Sequence, residues 1–261
     1  MEFDPNWILF HGHGLLVVDK PAGVPLHSGT GHDEGLVELI DAWVRLHPGT
    51  LDIRAGKSVV PAHSLDVGAS GVTLLALRRQ IARDLADAVS ASTLRFQYWA
   101  VVSGPLPETG SIRGKVNSRA GPQTKSVEAS LRFRRMCGDE RLSLAEVFVN
   151  KIQRHAVRSL FASHGRALAG DSRYGKPKPS RQFLTKFALE HYLLHAAQVE
   201  LPKEILGSPR TLQAPPPADF IRLADQKAWG DVPEFGQFTE PAEDGPAEGE
   251  PTEVGPESEP E

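Results

Sequence analysis

Short apolar runs recur along this sequence, and each is bounded by turn-forming residues. The clearest are Leu15–Val18, Val72–Leu77 and Tyr98–Val102, which predict buried strands because runs of this length suit strands better than helices. Between them, apolar residues repeat at helical spacing over Leu36–Leu46 and from Ile81 to Val89. Strands and helices are therefore interleaved, but without the regular spacing of βαβ units, and the pattern predicts the α+β class.

The second half of the chain continues this pattern. Val127–Arg135 and Leu142–Val149 flank a Gly-Asp pair and predict a β-hairpin. Arg154–Ser163 predicts a short helix, and Leu193–Leu201 predicts a late strand.

The charge of the chain is segregated. Residues 240–261 contain nine acidic residues, five prolines and no Lys or Arg, a composition that predicts a disordered tail because it can bury little apolar surface. The remaining residues carry 29 Lys and Arg against 24 Asp and Glu. A mildly basic body suits a nucleic-acid partner, although a charge of this size is also ordinary for a globular protein.

Several protein classes are disfavoured by composition. Cys137 is the only cysteine, which excludes an internal disulfide and a cysteine-rich zinc site. No apolar run is long enough for a membrane helix, and the first residues lack the basic and apolar regions of a secretory signal. We therefore expect a cytoplasmic protein with no membrane partner.

Four separated segments carry residues suited to chemistry. They are the turn Asp19-Lys20-Pro21-Ala22-Gly23-Val24, the loop His63-Ser64-Leu65-Asp66, the strand Arg95–Gly104 with Tyr98, and Gln153–Arg158 followed by Gly170–Gly175. A carboxylate just before a buried strand is well placed for catalysis, and dense Arg and His are typical of phosphate contact. Each segment also has a plainer interpretation: a surface loop, a turn-capping aspartate, a core aromatic ring and a solvated helix face.

In this order, the segments resemble the RluA-type pseudouridine synthases. That family carries D-K-P-x-G-[LV], H-R-L-D-x-x-[TS]-S-G, K-x-Y-x-A-x-V-x-G and G-R-x-H-Q-[IL]-R elements, followed by G-D-x-x-Y-G. Leu194-His195-Ala196 and Ala214–Phe220 match its late L-H-A and A-P-x-P-x-[DE]-[FM] segments, so the resemblance covers residues 8–225. It implies the pseudouridine synthase fold, in which helices flank a mixed, mostly antiparallel central sheet and the active-site cleft crosses the sheet.

The resemblance also implies a reaction and the residues that perform it. Asp66 would attack the target uridine, Arg158 would keep that carboxylate ionised, and Tyr98 would stack on the uracil. The base would leave its stack to enter the pocket, and no metal or organic cofactor is expected. The expected substrate-binding residues are Lys20, His63, Ser64, Arg154, His155 and Val157.

The chain departs from the family pattern at five positions. The motif arginine before the nucleophile is Ser64, so the arginine thought to fill the gap left by the flipped base is absent. The other departures are Phe96 for lysine, Gln153 for arginine, Ala156 for glutamine and Ala69 for threonine. With Asp66, Tyr98 and Arg158 retained, the pattern favours a working catalyst with an altered grip on RNA.

These residues lead to one prediction and two rivals. We predict that residues 1–232 form a catalytic domain, that residues 233–261 form an acidic Pro/Gly/Glu-rich tail, and that the monomer modifies a structured RNA, either rRNA or tRNA. The run from Asp171 to His195 most resembles the members that act on tRNA. One rival is a catalytically impaired RNA-binding paralogue, which the lost motif residues would explain. The other is a metal-dependent hydrolase using the early histidines His11, His13, His27, His32 and His63, although no H-E-x-x-H pattern occurs.

Overall fold

A computed structural model of the chain describes residues 1–29, 31–51, 59–120, 123–149 and 153–229. The predicted tail, residues 233–261, lies outside these residues. A short 3-10 helix (Pro5–Trp7) precedes the first strand. The described helices are α1 (Leu36–Leu46), α2 (Arg79–Ser90), α3 (Ala156–Ser163), α4 (Pro177–Phe187), α5 (Lys203–Leu206) and α6 (Ala218–Lys227).

The described strands form one sheet. They are β1 (Ile8–Gly12), β2 (Leu15–Lys20), β3 (Val60–Pro61), β4 (Ser70–Ala76), β5 (Arg95–Ser103), β6 (Thr109–Ala120), β7 (Gln123–Gly138), β8 (Leu142–Val149), β9 (Leu194–Leu201) and β10 (Arg210–Gln213). Their order is β1-β2-β4-β9-β5-β8-β7-β6, with β3 beside β4 and β10 beside β9. Among these pairs only β4 and β9 run parallel, starting from Ser70 opposite His195. The predicted α+β class and the mixed, mostly antiparallel sheet are confirmed.

The predicted elements that rest on periodicity are also confirmed. The helix over Leu36–Leu46 has the predicted bounds, and α2 contains the stripe Ile81, Leu85 and Ala88 on its buried side. The hairpin of β7 and β8 forms with Gly138 opposite Ser143. Strand β7 is longer than predicted because its first part pairs with β6, which the sequence did not reveal.

The sheet is buried on both faces, which explains its continuous apolar runs. On β5, Phe96, Tyr98, Ala100 and Val102 pack into the core that includes α2 and α3. The alternate residues Trp99 and Val101 pack on the opposite face, against α4 and α6. Tyr98 therefore points to the same face of the sheet as α3.

A buried contact fixes the parallel junction of β4 and β9. His195 Nδ1 lies 2.9 Å from Ser70 Oγ, and its Nε2 lies 3.3 Å from the carbonyl oxygen of Ala214. Burial lowers the pKa of His195 to about 4, so the neutral ring donates from Nε2 and accepts the Ser70 hydroxyl proton. A Cβ on Gly71 would lie 2.3 Å from the carbonyl oxygen of Ala196, so the junction requires glycine. These contacts fix the start of β4, to which the Asp66 loop is attached.

Candidate active site

The loop that carries Asp66 is fixed from beneath by Lys20. The Lys20 side chain is fully buried, and its ammonium donates to the carbonyls of Val24 at 2.8 Å, Ala69 at 2.6 Å and Val67 at 3.4 Å, as well as to Pro21. Burial lowers the pKa of Lys20 to about 7, against the raising effect of the Asp66 and Asp19 charges. The loop is thus tied to the preceding turn immediately after the carboxylate.

The cationic side of the site comes from the start of α3. His155 caps this helix with φ of +61°, a left-handed conformation that is uncommon for residues other than glycine. This turn places His155 and Arg158 side by side above Asp66. Both side chains are almost fully buried, with 11% of His155 and 7% of Arg158 exposed.

Asp66 is held by two hydrogen bonds. Arg158 Nη1 donates to its Oδ2 at 2.9 Å, and His155 Nε2 lies 3.0 Å from its Oδ1. Burial alone would raise the pKa of Asp66, but the hydrogen bonds and charges of His155 and Arg158 lower it below the usual value. The carboxylate is therefore ionised at neutral pH although only 9% of it is exposed.

A second carboxylate holds the other edge of the guanidinium. Asp171 is 1% exposed, and its two oxygens accept from Arg158 Nε at 2.7 Å and from Arg158 Nη2 at 2.8 Å. The geometry is bidentate, which fixes the plane of the guanidinium as well as its position. Burial would lower the pKa of Arg158, but Asp171, Tyr192 and Asp66 together raise it, so the cation is permanent.

Two tyrosines complete this shell. The Arg158 guanidinium lies 4.3 Å from the ring centre of Tyr192 and 5.0 Å from that of Tyr174, both within cation–π range. The Tyr174 hydroxyl is 2.8 Å from His155 Nδ1. The sequence signalled Asp171 and Tyr174 only as members of a motif, and nothing in it pointed to Tyr192.

Tyr98 closes the pocket on the side of the sheet. Burial and the Asp66 charge both raise its pKa, so the phenol stays protonated. The enclosed cavity is small, about 30 Å³, and its lining brings together the predicted catalytic residues Asp66, Tyr98 and Arg158. Its other lining residues are Ser64, Leu65, Gln153, His155, Ala156, Val157 and Leu194. This set combines one ionised carboxylate, one fixed cation and an aromatic ring, which are the groups needed to place a nucleophile beside a flat neutral base at the mouth of the cavity.

The remaining predicted substrate contacts fall into two groups. Ser64, Val157 and His155 line the pocket, and Arg154 is exposed next to His155. Lys20 and His63 are buried and are not among the residues that line the pocket, so their substrate contact stays a prediction. The Lys20 ammonium donates its hydrogen bonds to backbone carbonyls, as described above. His63 accepts the Leu74 N–H at 3.2 Å, and burial lowers its pKa to about 4.

Phe96, which stands where the family has lysine, explains the position of His63. The Phe96 ring is fully buried, with its centre 4.8 Å from that of His63 and 5.9 Å from that of Tyr98. Three adjacent rings therefore pack into the core beside the pocket. The departure at this position replaces a cation by packing that supports Tyr98.

Two further observations concern the described residues as a whole. No three His, Cys, Asp or Glu side chains among them are arranged to hold a metal ion, so the early histidines do not form such a group. Among the helices described, none has the length and apolar character needed to cross a membrane.

Comparison with known proteins places these features in one family. A family profile described as RNA pseudouridylate synthase matches residues 14–163. The chain is 26% identical to tRNA pseudouridine synthase C of Pectobacterium carotovorum subsp. carotovorum over 259 residues, covering 91% of this chain and 66% of that protein. It is 27% identical to ribosomal large subunit pseudouridine synthase D of Nitrosomonas europaea over 230 residues, covering 85% of this chain and 65% of that protein. The chain thus spans about two thirds of the length of these two relatives.

A solved structure shows the same fold. Human RNA Pseudouridylate Synthase Domain Containing 4 superposes with a TM-score of 0.67 at 19% identity, covering 85% of this chain and 92% of the other. The fold expected from the resemblance is confirmed by this likeness.

Proposed function

The chain belongs to the RNA pseudouridylate synthase family, and from that premise we propose that it isomerises a uridine of a structured RNA to pseudouridine with Asp66 as the nucleophile. The observation that carries the proposal is the Asp66 carboxylate, which is buried in the pocket yet kept ionised by Arg158 and His155. A buried carboxylate without such partners would take up a proton and lose its nucleophilicity.

The reaction needs no partner other than the RNA. Asp66 attacks the nucleoside as the bond between N1 of the uracil and C1′ of the ribose breaks. The uracil turns within the pocket and forms a bond from C5 to C1′ as the bond to the Asp66 oxygen breaks and the carboxylate is released, after which C5 loses its proton and N1 gains one. Atoms and electrons balance within the substrate, so no metal or organic cofactor is required.

Arg158 and His155 hold the nucleophile, and the pocket wall holds the base. Arg158 keeps Asp66 charged and fixes its orientation through two edges of one guanidinium. Tyr98 offers its ring for stacking on the uracil, and Val157, which lines the same pocket, provides an apolar contact. Ser64 and Arg154 contact the RNA at the mouth.

Replacement of Tyr98 by phenylalanine separates two roles of this residue. If the ring stacks on uracil and the hydroxyl takes part in proton transfer, Tyr98→Phe should keep KM within about twofold and lower kcat by about 10²-fold or more, a typical size for an acid–base group. Tyr98→Leu should affect both parameters, because it removes the ring as well. A fully active Tyr98→Phe enzyme would limit the residue to stacking.

The mechanism of base flipping must differ from that of relatives that carry an arginine at the position of Ser64. Ser64 is exposed and too short to occupy the gap left by an extruded base. We therefore expect a target uridine that is already unstacked, as in a loop or bulge, where extrusion costs least.

The catalytically impaired paralogue is the less favoured alternative. The lost motif residues Gln153 and Ala156 line the pocket, but neither lies in the hydrogen-bond chain that joins Asp66, Arg158 and Asp171. That chain is complete, which supports an active enzyme.

The proposed setting follows from the relatives. Their names specify tRNA in one case and the large ribosomal subunit in the other, so the RNA is either tRNA or rRNA. We propose that a monomer acts on it in the cytoplasm, with residues 1–232 as the catalytic domain and residues 233–261 as a separate acidic tail.

Pseudouridine mapping in a strain that lacks this gene tests the function. We expect one or a few tRNA or rRNA positions to lose pseudouridine, and expression of the full chain or of residues 1–232 to restore them. If the full chain restores pseudouridine at these positions but residues 1–232 do not, the domain boundary would be contradicted and the function would not. An unchanged pseudouridine map in the deletion strain, together with no product from purified protein on that RNA, would contradict the function.

A further inference from the structure

One segment of the chain is far more basic than the rest. Residues 153–189 contain eight Lys and Arg but a single acidic residue, Asp171, in a chain whose formal net charge is −4. That single carboxylate is buried and bonded to Arg158. The other cations of the segment are left without local compensation.

Five of these cations form an exposed group, here called the basic rim: Arg154, Arg173, Lys176, Lys178 and Arg181. None of the five forms an ion pair with any acid in the described part of the chain. Uncompensated exposed cations repel one another, so the group is best explained by an anionic partner.

The backbone that carries the basic rim is joined to the residues around Asp66 by sequence and by hydrogen bonds to Asp171. Arg154 precedes His155 in the chain, and the backbone N–H of Arg173 donates to Asp171 Oδ1 at 3.0 Å. The first turn of α4 is held to the same residue, because Ser180 Oγ donates to the Asp171 carbonyl at 3.0 Å. Lys176 and Lys178 therefore belong to a turn that is anchored on Asp171, the residue that positions Arg158.

We infer that the basic rim binds the phosphate backbone of the RNA next to the flipped uridine. The inference rests on the proposed function and adds to it the surface that binds the RNA substrate. Ser64 contributes no cation to the pocket lining, so the rim is the nearest group of exposed cations in this part of the chain. Phosphate contacts of this kind fix register on the RNA and are sensitive to salt.

The test compares two triple variants with the same change in net charge. Lys176→Gln, Lys178→Gln and Arg181→Gln remove charge from the rim. The matched control, Arg45→Gln, Arg83→Gln and Lys203→Gln, removes three exposed charges from α1, α2 and α5, which contribute no residue to the pocket. Binding to an unmodified tRNA transcript is measured over a range of salt concentrations, and turnover is measured on RNA from the deletion strain.

We expect the rim variant to lower the slope of log affinity against log salt by about 2, since each lost phosphate contact contributes about 0.7 to 0.9. Its KM should rise about tenfold or more, with kcat within about twofold of wild type. The control variant should change the slope by less than about 0.5. Equal slopes for the two variants would overturn the inference, because the effect would then be one of net charge.

The two proposals fail in different ways. If the wild-type protein forms pseudouridine while both variants bind alike, the rim is wrong and the function stands. If no RNA is modified by the wild type but only the rim variant loses its salt dependence, the rim stands and the enzyme function is wrong.

Discussion

Replacement of Asp66 by asparagine should abolish pseudouridine formation, with a loss in single-turnover rate of roughly 10⁴-fold or more, the range seen when a nucleophile is removed. The amide has nearly the same shape as the carboxylate but cannot act as an anionic nucleophile. RNA affinity should stay within a few-fold of wild type, because the exposed contacts at the mouth are untouched. The measurement is pseudouridine formed in a single turnover on RNA from the deletion strain.

Stability should change little in the Asp66→Asn protein, which makes the result interpretable. Arg158 keeps its bidentate partner Asp171, so its charge is not left alone in the core. Asp87→Asn, an exposed carboxylate on α2, serves as the control and should retain wild-type activity. An Asp66→Asn enzyme with more than a few per cent of the wild-type rate would exclude Asp66 as the nucleophile.

Local sequence patterns predicted the helices that are buried on one side and the strands that are buried on both faces. Helix α1 and helix α2 follow apolar stripes, and β2, β4 and β5 follow continuous apolar runs. Of these elements β5 carries Tyr98, and β4 directly follows the loop that carries Asp66.

Other elements were missed for identifiable physical reasons. Strand β6 contains Gly110 and Gly114, and between residues 109 and 116 only Ile112 and Val116 are buried, so its stability comes from pairing along its whole length with β7. Helix α4 begins with two prolines, Pro177 and Pro179, which read as a loop although the first helical turn tolerates proline. Its apolar residues then pack on the side of the sheet facing away from Tyr98.

The motifs identified the residues at the centre of the candidate site but not the residues that surround them. A motif does not reveal whether a polar residue faces solvent or the core, so the burial of Lys20 and His63 could not be predicted from it. The partners of Arg158 depend on chain folding, since Asp171 and Tyr192 meet the guanidinium from segments separate from α3. Only the three-dimensional structure shows that one guanidinium serves two carboxylates.

That shared guanidinium makes Arg158 the residue whose loss should affect stability most. Arg158→Met would leave Asp66 and Asp171 buried without their cation, and breaking a buried pair in this way costs about 3 to 5 kcal/mol. For a protein of this size we expect Tm to fall by roughly 10 °C. Thermal unfolding at pH 7 measures this effect.

Activity in Arg158→Met should fall by roughly 10² to 10³-fold, as for loss of one fixed electrostatic contact at a reacting group. The pH dependence identifies the cause. In the wild type the pKa of Asp66 is held below its usual value, so activity should be lost only as pH falls through that low pKa. Without Arg158, burial is opposed by His155 alone, the pKa of Asp66 rises, and the acid limb of the rate profile should move to higher pH. An acid limb at the same pH in both proteins would contradict this account.

A double variant separates the two roles of Arg158. In Arg158→Met with Asp171→Asn, the second buried carboxylate is replaced by a neutral amide that can still accept from the backbone N–H groups of Arg173 and Tyr174. Part of the lost stability should return, because one uncompensated charge has been removed. Activity should not return, because Asp66 still lacks its cation. Recovery of both together would mean that Arg158 acts only by stabilising the fold, whereas recovery of stability alone establishes its role in keeping the nucleophile ionised.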